Sequence, residues 1–537
     1  MKRFLALLLF GSAYAYSQSV TLSGSVRDML SLTAIDSARV DIVNTVDSSE
    51  HYSVFTNPAG LWSFTVNVDG GPEVPTIFTL EQNYPNPFNP STKINFTTPQ
   101  AGEVVFTVHN ILGQLVERKS YSLLAGSHTV DWSSKGASGV LFYSVEFLGT
   151  RFTRKMIQLD GRGEGGLGGV TTSGIRARFA AAAKRSAASY TLIATKLIYM
   201  SDTAYAIGSG VVDFQLETVH HHAFVIDLHN DVMEKAILGY QIGIRHTVEQ
   251  SDIPRFREGG MDAQMFALWT DWRDTVAHPA YAYTLQMADT FYAQVARSAG
   301  EIGQARTYDE TMQLHEAGKL AGILAVEGGH AIENNIDKLK TFYALGARYL
   351  TITWNNSTSW AVSAQDSRSA TVGLSDFGRL VVRTLDSLGM LIDVSHTGIK
   401  TIWDILATTK NPIIASHSGA RALNNHYRNL TDDQIDSIAA RGGVIGIVFY
   451  PTFLSASRTA TIDTVIRHID YIRARVGVDY IAIGSDYDGI ETVPVGLEDV
   501  SKLPNLTAAL LRKGYSIEDL HKILGGNFLR VFRQVCK

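Results

Sequence analysis

The segment A-F-V-I-D-L-H-N-D-V, residues 223–232, sets His229 and Asp231 two positions apart at the end of an apolar run. Side chains on a strand alternate faces, so this spacing points an imidazole and a carboxylate at one place. Such a pair suits a borderline-hard divalent cation such as zinc. Alone, H-x-D is a weak signal, because His and Asp also crowd ordinary loops. Companions downstream strengthen it: further apolar runs end in A-V-E-G-G-H, I-D-V-S-H, I-A-S-H-S and I-G-S-D-Y-D-G, which offer Glu327, His396, His417 and Asp486. Three His, an Asp and a shared Glu would hold two cations about 3.5–4 Å apart with a water between them, and two positive charges would let that water lose a proton near neutral pH.

Side chains this far apart in sequence need a scaffold that gathers strand ends. From residue 223 the chain alternates strand-length apolar runs with helix-period segments. Eight runs stand out, at 224–228, 261–268, 320–326, 348–353, 390–394, 412–415, 444–449 and 480–483. They are continuous rather than alternating, which predicts burial on both faces, as in a parallel sheet. Between them, Phe377, Leu380, Val381, Leu385 and Leu388 fall on one helical face. The expected class is therefore α/β, a (β/α)8 TIM-type barrel over residues 223–537 with its chemistry at the C-terminal strand ends.

The rest of the chain bounds the setting. At 537 residues two or three domains are expected. A net charge of -5 gives no basic footprint, so nucleic acid is not an expected partner. One cysteine, Cys536, excludes an intrachain disulfide. Residues 1–16 read as a signal peptide: Lys2 and Arg3, an apolar run, then A-Y-A. No other apolar run approaches the roughly 20 residues of a membrane helix, so no transmembrane anchor is expected and the protein should be secreted, periplasmic or at the cell surface.

Residues 19–76 show short alternating runs that predict a β-sandwich, and strand alternation returns over 190–218, which would complete it. Between them, 77–159 predicts a second sandwich behind a lead-in stiffened by Pro85, Pro87 and Pro90. The Gly- and Ala-rich stretch 160–189 reads as a flexible linker. His220, His221 and His222 read as a solvated joint rather than a metal trap.

Three resemblances follow. V-F-T-N-P-A-G-L-W-S-F-T-V, residues 54–66, resembles carboxypeptidase regulatory-like modules. The block from F-T-L-E-Q-N-Y-P-N-P-F-N-P onward resembles type A sorting domains of the type IX secretion system, which implies either contact with secretion machinery or a structural accessory role. The region from 224 onward resembles the membrane (renal) dipeptidases, binuclear zinc peptidases of the amidohydrolase superfamily. The motifs are D-L-H-N-D, S-D-I-P-R-F-R-E-G-G-M-D-A-Q, V-E-G-G-H, L-G-M-L-I-D-V-S-H, A-S-H-S-G-A-R-A-L, H-Y-R-N-L-T-D-D and G-S-D-Y-D-G.

That third resemblance implies two zinc ions per chain, with His229, Asp231 and Glu327 on one and Glu327, His396 and His417 on the other. It implies that Asp486 handles the proton, with Asp488 as second choice, that Arg428 grips the substrate carboxylate, and that Tyr450 lies on the substrate side. One position departs: many members have T-L-T-H where this chain reads T-I-T-W, so Trp354 stands in place of a histidine that contacts the scissile carbonyl. Indole keeps one N–H donor but narrows the pocket, and Asn355 and Asn356 are candidates to compensate. The expected function is a secreted zinc dipeptidase acting on dipeptides with a free carboxylate, with a homodimer as one allowed assembly. The alternatives are an amidase acting on N-acyl amino acids and an inactive cell-surface binding protein.

Overall fold

The computed structural model describes residues 19–45, 50–67, 77–124, 126–135, 138–159, 164–172, 189–207, 209–273 and 279–537. The expected signal peptide and most of the expected linker lie outside the described residues. Two compact units meet in sequence at Glu217 and Thr218.

The first unit is all β. Ser91–Thr98 shows why: its side chains alternate between solvent and core along the strand. Strand Ser189–Thr195 pairs with Arg39–Asn44, and Phe214–Leu216 pairs with Ser19–Asp28. Residues on both sides of the 77–159 block thus share one sandwich, closed around Leu22, Val40, Ile42, Trp62, Leu192 and Phe214. The inserted block, with one further strand from beyond residue 159, forms two four-stranded sheets around Phe88, Phe96, Phe106, Trp132 and Tyr143. The Tyr143 hydroxyl donates to Glu81 O and accepts from Asn83 N–H, both at 2.8 Å, which ties the proline-rich lead-in to the sandwich.

Part of the expected linker is instead structural. Glu164–Thr172 is a strand antiparallel to Gly126–Lys135, with Leu167 buried in the core. Glycine makes this close approach tolerable, because a Cβ at Gly165 would lie 2.6 Å from Ser133 Cβ.

The second unit is a closed parallel barrel. Its strands are β1 (Ile226–Asn230), β2 (Ala263–Trp269), β3 (Leu320–Glu327), β4 (Ala347–Thr351), β5 (Leu391–Asp393), β6 (Ile414–Ser418), β7 (Val444–Ile447) and β8 (Ile481–Ile483). Each pairs with the next, and β8 pairs back onto β1. An extra strand, Ile302–Gln304, adds to β3. Nearly every strand residue is buried, as two covered faces require.

Helices cover the outside. Asp376–Leu388 starts on a Ser375 cap and ends on Gly389 in the left-handed region. Its buried stripe is Gly378, Val381, Val382 and Leu385, while Leu380 is 44% exposed. The face expected from spacing is thus rotated by part of a turn. The histidine triplet also differs from its expected solvated joint. His220 is buried in the short helix Val219–His222, donating from Nε2 to Gly259 O at 2.8 Å and accepting at Nδ1 from the Thr507 hydroxyl at 2.6 Å.

Candidate metal centre

The C-terminal ends of β1, β3, β5, β6 and β8 bring five candidate ligands and an acid together. Glu327 ends β3 and reaches all three imidazoles: its oxygens lie 3.0 Å from His396 Nε2, 3.6 Å from His229 Nε2 and 3.7 Å from His417 Nε2. Asp231 Oδ2 lies 3.3 Å and Asp486 Oδ1 3.9 Å from His229 Nε2. His396 Nε2 and His417 Nε2 face each other at 3.0 Å.

What turns the Nε2 atoms inward is a second set of groups that occupies every Nδ1. His229 Nδ1–H donates to the Tyr349 hydroxyl at 2.6 Å, which donates onward to Leu228 O. His396 Nδ1–H donates to Asn355 Oδ1 at 2.9 Å. His417 Nδ1–H donates to Ser416 Oγ at 2.8 Å, and Ser416 donates to Asp393 Oδ2 at 2.7 Å. Such partners fix ring orientation and raise ligand basicity. Replacing Tyr349 by Phe should therefore weaken metal affinity about 10- to 100-fold without unfolding the barrel, measured by competition with a chelating dye.

The backbone is bent to the same end. His396, Asp486 and Asp488 adopt φ of 64°, 66° and 67°, a region that non-glycine residues rarely occupy and that clusters at functional sites. The Thr353 hydroxyl and the Ala364 N–H both donate to His396 O. Asp227, fully buried, accepts from Ser485 N–H at 2.7 Å and so pins the loop after β8 against β1. Gly489 closes that loop, and a Cβ there would sit 2.2 Å from Asp231 Oδ2.

The electrostatics favour a cation. Three buried carboxyls, Asp231, Glu327 and Asp486, converge with one buried guanidinium, Arg428. Burial pushes the Asp486 carboxyl well above its usual range, with His229 opposing and the charges of Asp231 and Glu327 adding to the rise. Burial and the Arg428 charge hold His396 down at about 3, and burial keeps His417 well below its ordinary value, so both keep their Nε2 lone pairs. Burial also raises Glu327, but His229 and His396 outweigh it and leave it ionised. Buried charge of one sign is stable when it coordinates metal. The atoms fit that group: His229 Nε2 and Asp231 Oδ1 are buried without hydrogen-bond partners, and three triads place ligand atoms close enough to share an ion, namely His229, Asp231, Glu327, then Glu327, His396, His417, and then His229, His417, Asp486.

The remaining expected residues divide. Arg428 lies beside the centre, with Nη2 donating to His417 O at 3.3 Å, Nε without a partner, and its guanidinium 5.3 Å from the Phe453 ring. Trp354 stacks over His396 at 5.9 Å. Tyr450 donates to Glu491 at 2.9 Å, outside the ligand cluster. Asp488 points to a different loop, where its Oδ1 accepts from Gln250 N–H at 2.7 Å.

Several contributors were not singled out from sequence. Tyr349, Ser416 and Asp393 sit within or at the ends of strands, where apolar spacing says nothing about side-chain partners. Glu234, on the helix after Asp231, is pushed up to about 9 by burial and by the Asp231 charge. Gly489 closes the quoted G-S-D-Y-D-G motif, and a glycine at that position was the readable signal for a close approach, here to Asp231.

Comparison with known proteins agrees with this architecture. Residues 214–537 match the family of membrane dipeptidases, peptidase family M19. Residues 82–158 match the secretion system C-terminal sorting domain. Human dipeptidase 3 is 34% identical over 323 residues, covering 58% of this chain and 65% of its own length, just under two thirds. Dipeptidase tcpJ of Claviceps purpurea (strain 20.1) is 33% identical over 324 residues, 58% of this chain and 76% of its own. A solved metallopeptidase from Rhodobacter sphaeroides, liganded with a phosphinate mimic of the dipeptide L-Ala-D-Ala, has a TM-score of 0.55 and 28% identity over 58% of this chain and 99% of that one.

Proposed function

This chain belongs to the membrane dipeptidase family, and from that premise we propose that its barrel is a zinc-dependent dipeptidase acting on dipeptides with a free C-terminal carboxylate. The observation that supports it most is the convergence of three imidazoles, each anchored through Nδ1, on the two oxygens of Glu327. His229, Asp231 and Glu327 would hold one ion, and Glu327, His396 and His417 the other. When bound, such a pair supplies Lewis acidity toward the scissile carbonyl and lowers the pKa of a water.

The chain's own residues then divide the work. Arg428 binds the substrate carboxylate, for which a planar guanidinium with a free Nε–H is suited. Asp486, whose Oδ1 lies 3.9 Å from His229 Nε2 at the edge of the cluster, takes a proton from the attacking water and returns it to the leaving amine. Asp488 is engaged by Gln250 and is the weaker candidate for that role. Trp354 and Tyr450 line the substrate side.

Replacing Asp486 by Asn should lower kcat about 10²- to 10⁴-fold while zinc content stays unchanged. Steady-state kinetics with metal analysis on the same sample would check this. N-acetylated dipeptides provide the control for the amidase alternative, which requires them to be hydrolysed as fast as the free forms. The internal match to a sorting domain supports export, and among the described residues no helix is long and apolar enough to cross a membrane.

A further inference from the structure

Two indoles form one side of the rim. Trp269 ends β2 in register with Glu327, and Trp354 lies three residues beyond β4. Their ring centroids are 4.9 Å apart at 53°, and Trp354 continues over His396 at 28°. Gly328, with φ +99°, leaves space first for the His330 ring, which a Cβ there would meet at 2.4 Å, and then for Trp354, whose Cβ would lie 3.3 Å away. Both tryptophans are half-buried. The Trp269 indole N–H is buried and has no hydrogen-bond partner, so ring packing positions it.

Strand order says what this wall faces. Arg428 touches the end of β6 through His417 O, and in an eight-stranded barrel β6 lies across from β2. An extended dipeptide spans about 7 Å. With its carboxylate on Arg428 and its scissile bond over the ligand cluster, its first residue points toward β2 and β4. We propose that Trp269 and Trp354 form the subsite for the side chain of the dipeptide's N-terminal residue and select large apolar or aromatic side chains there. This inference rests on the dipeptidase reading above. Burial of an aromatic side chain against them should raise kcat/KM about 10- to 100-fold over alanine.

The test uses the full zinc-loaded chain and two substrate series, Xaa-Ala and Ala-Xaa, with Xaa as Gly, Ala, Leu, Phe or Trp. The expected result is a Phe-Ala over Ala-Ala preference of about 10- to 100-fold, carried mainly by KM. It should shrink in Trp269→Phe, fall near unity in Trp269→Ala, and leave the Ala-Xaa ranking unaltered. Zinc content of each variant, measured alongside, separates a lost subsite from a lost centre. If dipeptides are hydrolysed without a preference at the first position, or if Trp269→Ala reorders the Ala-Xaa series instead, the subsite assignment is overturned while the dipeptidase reading stands. If the zinc-loaded wild type hydrolyses no dipeptide, both fall.

Discussion

Glu327→Gln is expected to abolish zinc binding at the site and to lower kcat/KM for dipeptides by about 10³-fold or more. Glu327 lies within 3.7 Å of Nε2 of His229, His396 and His417 and is the carboxylate shared by the two triads proposed to hold zinc. Gln keeps the volume but replaces one oxygen by an amide donor and removes the negative charge that opposes two cations. Losing several kcal/mol of transition-state stabilisation translates into that rate, at one decade for each ~1.4 kcal/mol. The variant carries a second signature. Zinc binds the native state and should raise the wild-type Tm in a concentration-dependent way, while Glu327→Gln should show little response. A scanning calorimetry titration with zinc reads both proteins directly.

Arg428→Met is expected to act on substrate rather than metal. Arg428 is 3% exposed, its Nε has no partner, and among the described residues no carboxylate forms an ion pair with it. Met retains apolar contact with Phe453. Removing one member of a buried charge pair costs about 2–5 kcal/mol, so kcat/KM should fall roughly 30- to several thousand-fold, mainly through KM. Zinc stoichiometry should be unchanged. Equal losses in dipeptides and in their C-terminal amides would contradict the assigned role, because amides lack the carboxylate that Arg428 is argued to hold.

How much of this was readable from sequence depends on which force placed each residue. Barrel strands were legible because burial on both faces makes them continuously apolar, and the polar residue that interrupts each run marks the strand end. The helix at Asp376–Leu388 was legible as a helix, but its stripe was not: Leu380 is exposed because tertiary packing selected Val382 instead. The strand Glu164–Thr172 was hidden by its glycines, which read as linker yet permit close approach to Ser133. Asn355, one of two candidates with Asn356 to compensate for Trp354, also holds His396 through its Oδ1, a second task that spacing does not reveal. Orientation by Tyr349, Ser416 and Asp393 was invisible because hydrogen-bond direction leaves no periodic trace.

Anomalous diffraction at the zinc edge from crystals of the zinc-loaded full chain tests the centre most directly. Two peaks are predicted, one among His229, Asp231 and Glu327 and one among Glu327, His396 and His417. No peak at these residues, or zinc bound elsewhere on the chain alone, would contradict the account.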